Sequence, residues 1–173
     1  MSKAIWGLET FSLFKGLNPT EVQSVSPIVT KRSYHPGDII TDQNSKSRDV
    51  YILLNGRVDI ISLGGMPLYR ISNGEAFGEL ALINGLKRTA IAVSRDESIV
   101  LQLNISMLES FGEEHPAIYR IISGNIVTSL GIKLARANKM IELLKTELEK
   151  TIRKPSAPDQ SAPESPVESR ERA

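Results

Sequence analysis

The sequence predicts a mainly β protein: an antiparallel β-roll (a double-stranded jelly roll) with flanking helices and a long C-terminal helix. Three observations predict it. Between residues 31 and 103, short runs rich in Val, Ile, Leu and Tyr are divided by the pairs Pro36-Gly37, Asn55-Gly56, Gly64-Gly65, Asn73-Gly74 and Asn84-Gly85. Such punctuation marks short antiparallel strands. Helical spacing frames this region on both sides, and no proline interrupts the chain between Pro116 and Pro155.

Residues 1–30 form the N-terminal helical part. Leu13, Phe14, Leu17, Val22, Val25 and Val29 recur at helical spacing, and Asn18 followed by Pro19 is an N-cap with proline at the first helical position. One short helix thus precedes a second that starts near Pro19. In the roll, residues 31–103, the clearest strands are 50–55, 57–63, 66–71, 89–93 and 98–103, out of about eight in all. Asn44, in a loop, suits the left-handed backbone of a tight reversal. Residues 104–154 hold a hinge helix, about 105–113, and a long helix from Pro116 to about residue 152. The tail, residues 155–173, is rich in Pro, Ser and charge with no apolar stripe, and is expected to be disordered.

Composition narrows the function. The chain has 173 residues, 40% hydrophobic and 24% charged, with a net charge of +1. That balance gives no electrostatic reason to expect nucleic acid or an anionic membrane as partner. The absence of cysteine excludes disulfides, thiolate metal sites and cysteine nucleophiles. With only His35 and His115 a histidine-rich metal site is nearly excluded, and His35, before Pro-Gly and with no partner histidine nearby, reads as a turn residue. Cupins, enzymes on a similar roll, need a histidine cluster with a carboxylate. Residues 1–14 do not read as a signal peptide, and no apolar run is long enough to span a membrane. A cytoplasmic location is the expectation. Tyr51 and Tyr69 read as strand residues, and Trp6 as packing beside the first helix.

In the long helix, Val127, Leu134, Ile141 and Leu148 occupy one heptad position and Leu130, Ala137 and Leu144 another. β-Branched Val127 and Ile141 at the first and Leu130 and Leu144 at the second favour a parallel two-stranded coil, hence a homodimer. The alternative is a stripe packed on the chain's own domain. Gly124 and Gly131 weaken the helix by about 1 kcal/mol each, so a close backbone approach is expected there.

The chemistry concentrates in residues 74–93, GEAFGELALINGLKRTAIAV. Gly78 leaves the backbone open to a ligand. The N–H groups of Glu79, Leu80 and Ala81 open a short helical turn, a natural anion site. Arg88 lies across the Asn84-Gly85 turn, from where its fork can reach the same anion. Leu80, Leu82 and Ile83 would anchor the turn to the roll. The same residues also fit an ordinary turn with a Glu79–Arg88 surface ion pair worth about 0–1 kcal/mol.

Phe77-Gly78-Glu79-Leu80-Ala81-Leu82-Ile83, followed by Arg88-Thr89-Ala90, resembles the phosphate-binding cassette of the cyclic nucleotide-binding domain family. That family includes catabolite activators, kinase regulatory subunits and gated channels. Residues 34–40 and 50–58 resemble its early roll strands, and the likeness runs over about residues 14–148. It implies that cAMP or cGMP is the ligand, with no further cofactor. It implies that the backbone of residues 78–81 and Arg88 hold the cyclic phosphate, while Glu79 takes the ribose 2′-hydroxyl. Thr89 would reach the phosphate and, in a syn guanine complex, the base. Phe77 and Ala90 complete the matched set. The sequence departs from the family at Lys87, where proline is common, and at Asn44, where glycine is usual.

The expected protein is a non-enzymatic cyclic nucleotide sensor that relays occupancy through its C-terminal helix to a downstream protein or dimer interface. A residue of the helix, around 130–137, would cover the base. Two alternatives stand beside it: a coiled-coil assembly protein whose roll no longer binds ligand, and a transcription-regulator relative. The second needs a DNA-reading helix-turn-helix, and only the proline-rich segment follows Lys154, so DNA binding is not expected.

Overall fold

The N-terminal segment is more broken than its apolar spacing implies. The computed structural model describes residues 7–83 and 87–153. Trp6, the Asn84-Gly85 turn and the tail lie outside the described residues, so the expectations placed on them do too. Two 3-10 turns, Leu8–Thr10 and Ser12–Phe14, stand where one helix was expected, because Phe11 between them is extended. Helix α1, Pro19–Val25, begins with a complete capping box: the Asn18 side chain accepts from the N–H of Thr20 and Glu21, and Glu21 accepts from the N–H of Asn18. A further 3-10 turn, Ser26–Ile28, contains Pro27, which lacks the N–H needed to continue the helix. Val29, counted as helical from its spacing, instead opens a strand.

Eight strands follow: β1 Val29–Tyr34, β2 Ile39–Thr41, β3 Asp49–Asn55, β4 Val58–Ser62, β5 Pro67–Ile71, β6 Ala76–Phe77, β7 Ala90–Ser94 and β8 Ser98–Asn104. They form two antiparallel four-stranded sheets, ordered β1-β8-β3-β6 and β2-β7-β4-β5. The β-roll is therefore as expected, and all five clear strands fall within a residue or so of their expected limits. The Asn55-Gly56 turn does not close a hairpin. It carries the chain from β3 in one sheet to β4 in the other, whereas Gly64-Gly65 does close one, between β4 and β5.

Strand β3 organises two cores. Alternate residues point to opposite faces, so Tyr51 and Leu53 join Val58, Phe77 and Val100 inside the roll. Val50 and Ile52 join Leu101 and Leu103 on the other face, against Phe14, Val22, Leu108, Ile118, Ile122 and Ile126 of the helical segments. A strand covered on both faces explains its unbroken apolar run.

Asn44 is not left-handed, since no described residue other than glycine has positive φ. Its N–H and Nδ2 instead reach the Asp42 carboxylate at 3.0 and 3.4 Å, an Asx turn that makes the reversal without strain. Helix α2 spans Ile105–Glu114, capped by Asn104, whose side chain accepts from the N–H of Met107. Helix α3 runs Pro116–Arg153. Gly124 and Gly131 do not mark a close approach: a Cβ at either would meet nothing within 4 Å. The chain divides into two compact units, Met1–Leu134 and Ala135–Ala173. No helix among the described residues is long and apolar enough to cross a membrane.

Candidate functional site

Strand β6 is only two residues long, and its position rests on β3, with Phe77 opposite Tyr51 and Ala76 opposite Ile52. The Phe77 ring stacks on Tyr51 at 5.2 Å between centroids, both rings buried. Burial, with the Asp49 carboxylate adding, pushes the Tyr51 phenol up to about 12, so it stays a neutral hydroxyl. Immediately after Phe77 the chain reverses at Gly78, whose φ of +79° is one that L side chains rarely adopt. A Cβ there would lie 2.9 Å from Arg88 Nη1 and 3.1 Å from the Asp49 carbonyl, so both conformation and close approach require glycine.

Gly78 caps a four-residue 3-10 turn, Glu79–Leu82. Within such a turn the first N–H groups have no internal acceptor. Leu80 is half-buried, Leu82 packs on the helical core, and Ala81 contributes backbone. Ile83 does not anchor the turn as expected; it is exposed, since the backbone leaves the 3-10 turn there and becomes extended.

Arg88 is buried and folds back on this reversal. Its Nη1 donates to the Gly78 carbonyl at 3.0 Å, and its Nη2 donates to the carbonyls of Ser47 at 3.0 Å and Asp49 at 2.9 Å. The guanidinium lies 6.0 Å above the Tyr51 ring. Of the five N–H groups of a guanidinium, three are engaged by these carbonyls and two have no acceptor among the described residues. Thr89, next along, is exposed, and Ala90 is half-buried where β7 begins.

Glu79 does not pair with Arg88, so the surface ion-pair alternative does not describe this site. The carboxylate is buried and binds helix α3 instead. Its Oε1 accepts from Ser129 Oγ at 2.7 Å and from Lys133 Nζ at 2.6 Å, and the same ammonium donates to the Ala76 carbonyl at 2.6 Å. Sequence reasoning missed Ser129 and Lys133. The available signal was the polar stripe Asn125, Ser129, Lys133 at four-residue steps, hidden beside the more conspicuous apolar heptads. It also missed the carbonyls of Ser47 and Asp49, which no residue type announces. The far end of the turn touches α2: Arg48 grips Glu109 with both Nη atoms at 2.9 Å and reaches the Leu82 carbonyl at 3.5 Å.

His35 sits at a turn, exposed, with Nδ1 2.9 Å from Glu97. That carboxylate, with Asp38 adding, raises the imidazole pKa. Among the described residues, no group of three His, Cys, Asp or Glu is placed to hold a metal.

The model of the cyclic nucleotide-binding domain matches residues 31–115, which include the whole Gly78–Arg88 arrangement. The chain is 30% identical over 142 residues to the cyclic AMP receptor protein of Thermus thermophilus, covering 78% of this chain and 62% of that one. It is 27% identical over 132 residues to glutaminase 1 of Bradyrhizobium diazoefficiens, of which it covers 21%. The chain thus spans less than two thirds of either curated relative. The crystal structure of the Thermus thermophilus catabolite activator protein superposes with a TM-score of 0.64 at 28% identity, over 78% of this chain and 63% of that one.

Proposed function

The chain belongs, through residues 31–115, to the cyclic nucleotide-binding domain family, and from that premise we propose that it is a cAMP or cGMP sensor, regulatory rather than catalytic. One observation carries the reading: the site offers unengaged groups of both signs in the right order. Two N–H groups of Arg88 and the opening N–H groups of the 3-10 turn are donors that an anion could use. Glu79 Oε2 accepts no hydrogen bond among the described residues and faces a donor. A ribose with a fused cyclic phosphate presents that pair, a monoanion beside a hydroxyl donor. The direct test is a thermal-shift titration of the wild type. A ligand at 100 times its dissociation constant stabilises the folded state by about 2.7 kcal/mol, so cAMP or cGMP should raise Tm progressively. A flat response to both would remove the reading.

Thr89 separates the two nucleotides. Exposed beside Arg88, its hydroxyl would bond the phosphate of either ligand and the base of a syn guanine. Thr89→Ala should weaken cGMP more than cAMP, by about 1 kcal/mol. Equal losses in calorimetry would mean that the hydroxyl does not touch guanine.

Occupancy is relayed by a shift of population in the helices that flank the turn. Support comes from the contacts at its two ends, Leu82 through Arg48 to Glu109 of α2, and Glu79 to α3. The output is a homodimer or a downstream protein met by the outer face of α3. Val127 and Leu134, both within the first unit, are more than half exposed, which favours an intermolecular seam over an internal stripe, although Leu130 packs on the helical core. Three heptads give only a marginal isolated coil, so the dimer is weak to moderate. Ile141→Asp places an unpaired charge in the seam and should give a monomer that still binds nucleotide. Sedimentation finding the wild type monomeric with and without ligand would contradict the seam.

A further inference from the structure

We propose that Lys133 is a positioning residue that sets the ribose selectivity of this pocket, by holding Glu79 so that one carboxylate oxygen is presented to a 2′-hydroxyl. The inference rests on the nucleotide reading above and assigns a role to a helix side chain that the cassette motif does not contain.

Three residues on one ridge of α3 fasten this part of the helix to the roll. Asn125 Nδ2 donates to the carbonyls of Leu13 and Lys15 at 2.9 and 2.8 Å, which fixes the register of the helix. One turn on, Ser129 donates to Glu79 Oε1, and one turn further Lys133 Nζ bridges Glu79 Oε1 and the Ala76 carbonyl. The Glu79 and Lys133 side chains are 4% and 16% exposed. Both donors converge on one oxygen, so the rotation of the carboxylate is determined and Oε2 is left as the free acceptor.

This arrangement answers two problems of the pocket at once. A buried carboxylate beside an anionic cyclic phosphate would repel it, and the Lys133 ammonium offsets that charge at 2.6 Å. A carboxylate free to rotate would also meet a 2′-hydroxyl in only some orientations, and it could turn away from a sugar that lacks one. Held as it is, Glu79 leaves an acceptor without a partner when the sugar is 2′-deoxy. Sites built to bond a hydroxyl reject the analogue without it more strongly than sites that merely enclose it.

The experiment compares cAMP with 2′-deoxy-cAMP by calorimetry, on the wild type and on Lys133→Met, which keeps the length and apolar stem. The wild type should prefer cAMP by about tenfold or more, the loss expected when a hydrogen bond to a charged group goes unmade. In Lys133→Met the ratio should fall to within about threefold, and Lys133→Arg should restore most of it. Because both affinities are read on one preparation, a loss of folded protein cancels from the ratio, which a merely structural role would leave unchanged. If Lys133→Met binds neither nucleotide, Ser129→Ala, which removes one of the two donors to Oε1, should lower the same ratio. A ratio unchanged in the variants, or a wild type that binds both nucleotides equally, overturns the role of Lys133 and leaves nucleotide binding standing. A wild type that binds neither overturns both.

Discussion

Arg88→Ala is expected to weaken cyclic nucleotide binding by about 2–5 kcal/mol, the usual effect of truncating one member of a buried charge pair. It should also lower the stability of the free protein, which residue types alone did not foretell. From the sequence, Arg88 is a side chain that folds over a loop to meet a ligand, and its loss leaves the fold intact. In the structure its fork already donates to the carbonyls of Gly78, Ser47 and Asp49. Alanine would leave the buried Asp49 carbonyl, and the part-buried carbonyls of Gly78 and Ser47, without this donor, at a cost of about 1–3 kcal/mol. The same contacts hold the Gly78 reversal against β3, so the variant loses both an anion contact and the shape of the turn. Arg88→Lys keeps the charge but not the planar fork, and should recover only part of either effect. Calorimetry and urea unfolding measure the two losses separately. Unchanged affinity in Arg88→Ala would contradict the phosphate assignment, and unchanged stability would contradict the carbonyl clamp.

Gly56→Ala is expected to destabilise the fold by about 2–4 kcal/mol, without any role in binding. Gly56 turns the chain from one sheet to the other with φ at +105°, and a Cβ there would lie 2.7 Å from both the Glu97 carbonyl and the Ser98 Cα. Neither can withdraw. Ser98 is buried in β8, and its hydroxyl bonds Ser94 Oγ at 2.7 Å and the Arg57 carbonyl at 3.2 Å. Gly37 supplies the control. It has φ of +91° but nothing within 4 Å of its Cβ position, so Gly37→Ala carries only the strain of a left-handed backbone, about 1–2 kcal/mol. The two variants compared in urea isolate the clash from the strain. Equal losses would mean that β8 yields to the methyl group.

The strands that the sequence revealed are those with apolar runs between glycine turns. β1 was hidden because its central residues, Thr30, Lys31, Arg32 and Ser33, are exposed and polar, and it is held by pairing with β8 rather than by burial. β2 and β6 are three and two residues long, too short to show any period. The cassette was legible because its glycine, carboxylate and arginine are side-chain types with fixed chemistry. Its supports were not, since the carbonyls of Ser47 and Asp49 are backbone groups that any residue could supply. The alternative pairing of Glu79 with Arg88 failed, and Lys133 went unnoticed, for a related reason. Arg88 is nine residues away in sequence, whereas Lys133 comes from a helix that only the tertiary fold brings to the site.

In the proposed complex a cyclic phosphate sits between the Gly78 reversal and Arg88 with its ribose on Glu79. That placement is tested most directly by calorimetric titration of the wild type with cAMP and cGMP, with 5′-AMP as the control. The open monophosphate carries close to two charges at neutral pH and cannot present its phosphate fused to the ribose. Saturable binding of one cyclic nucleotide per chain is expected, with 5′-AMP failing to compete at equal concentration. Absence of saturable binding by either cyclic nucleotide up to about millimolar concentration, or displacement of one by 5′-AMP at equal concentration, would contradict it.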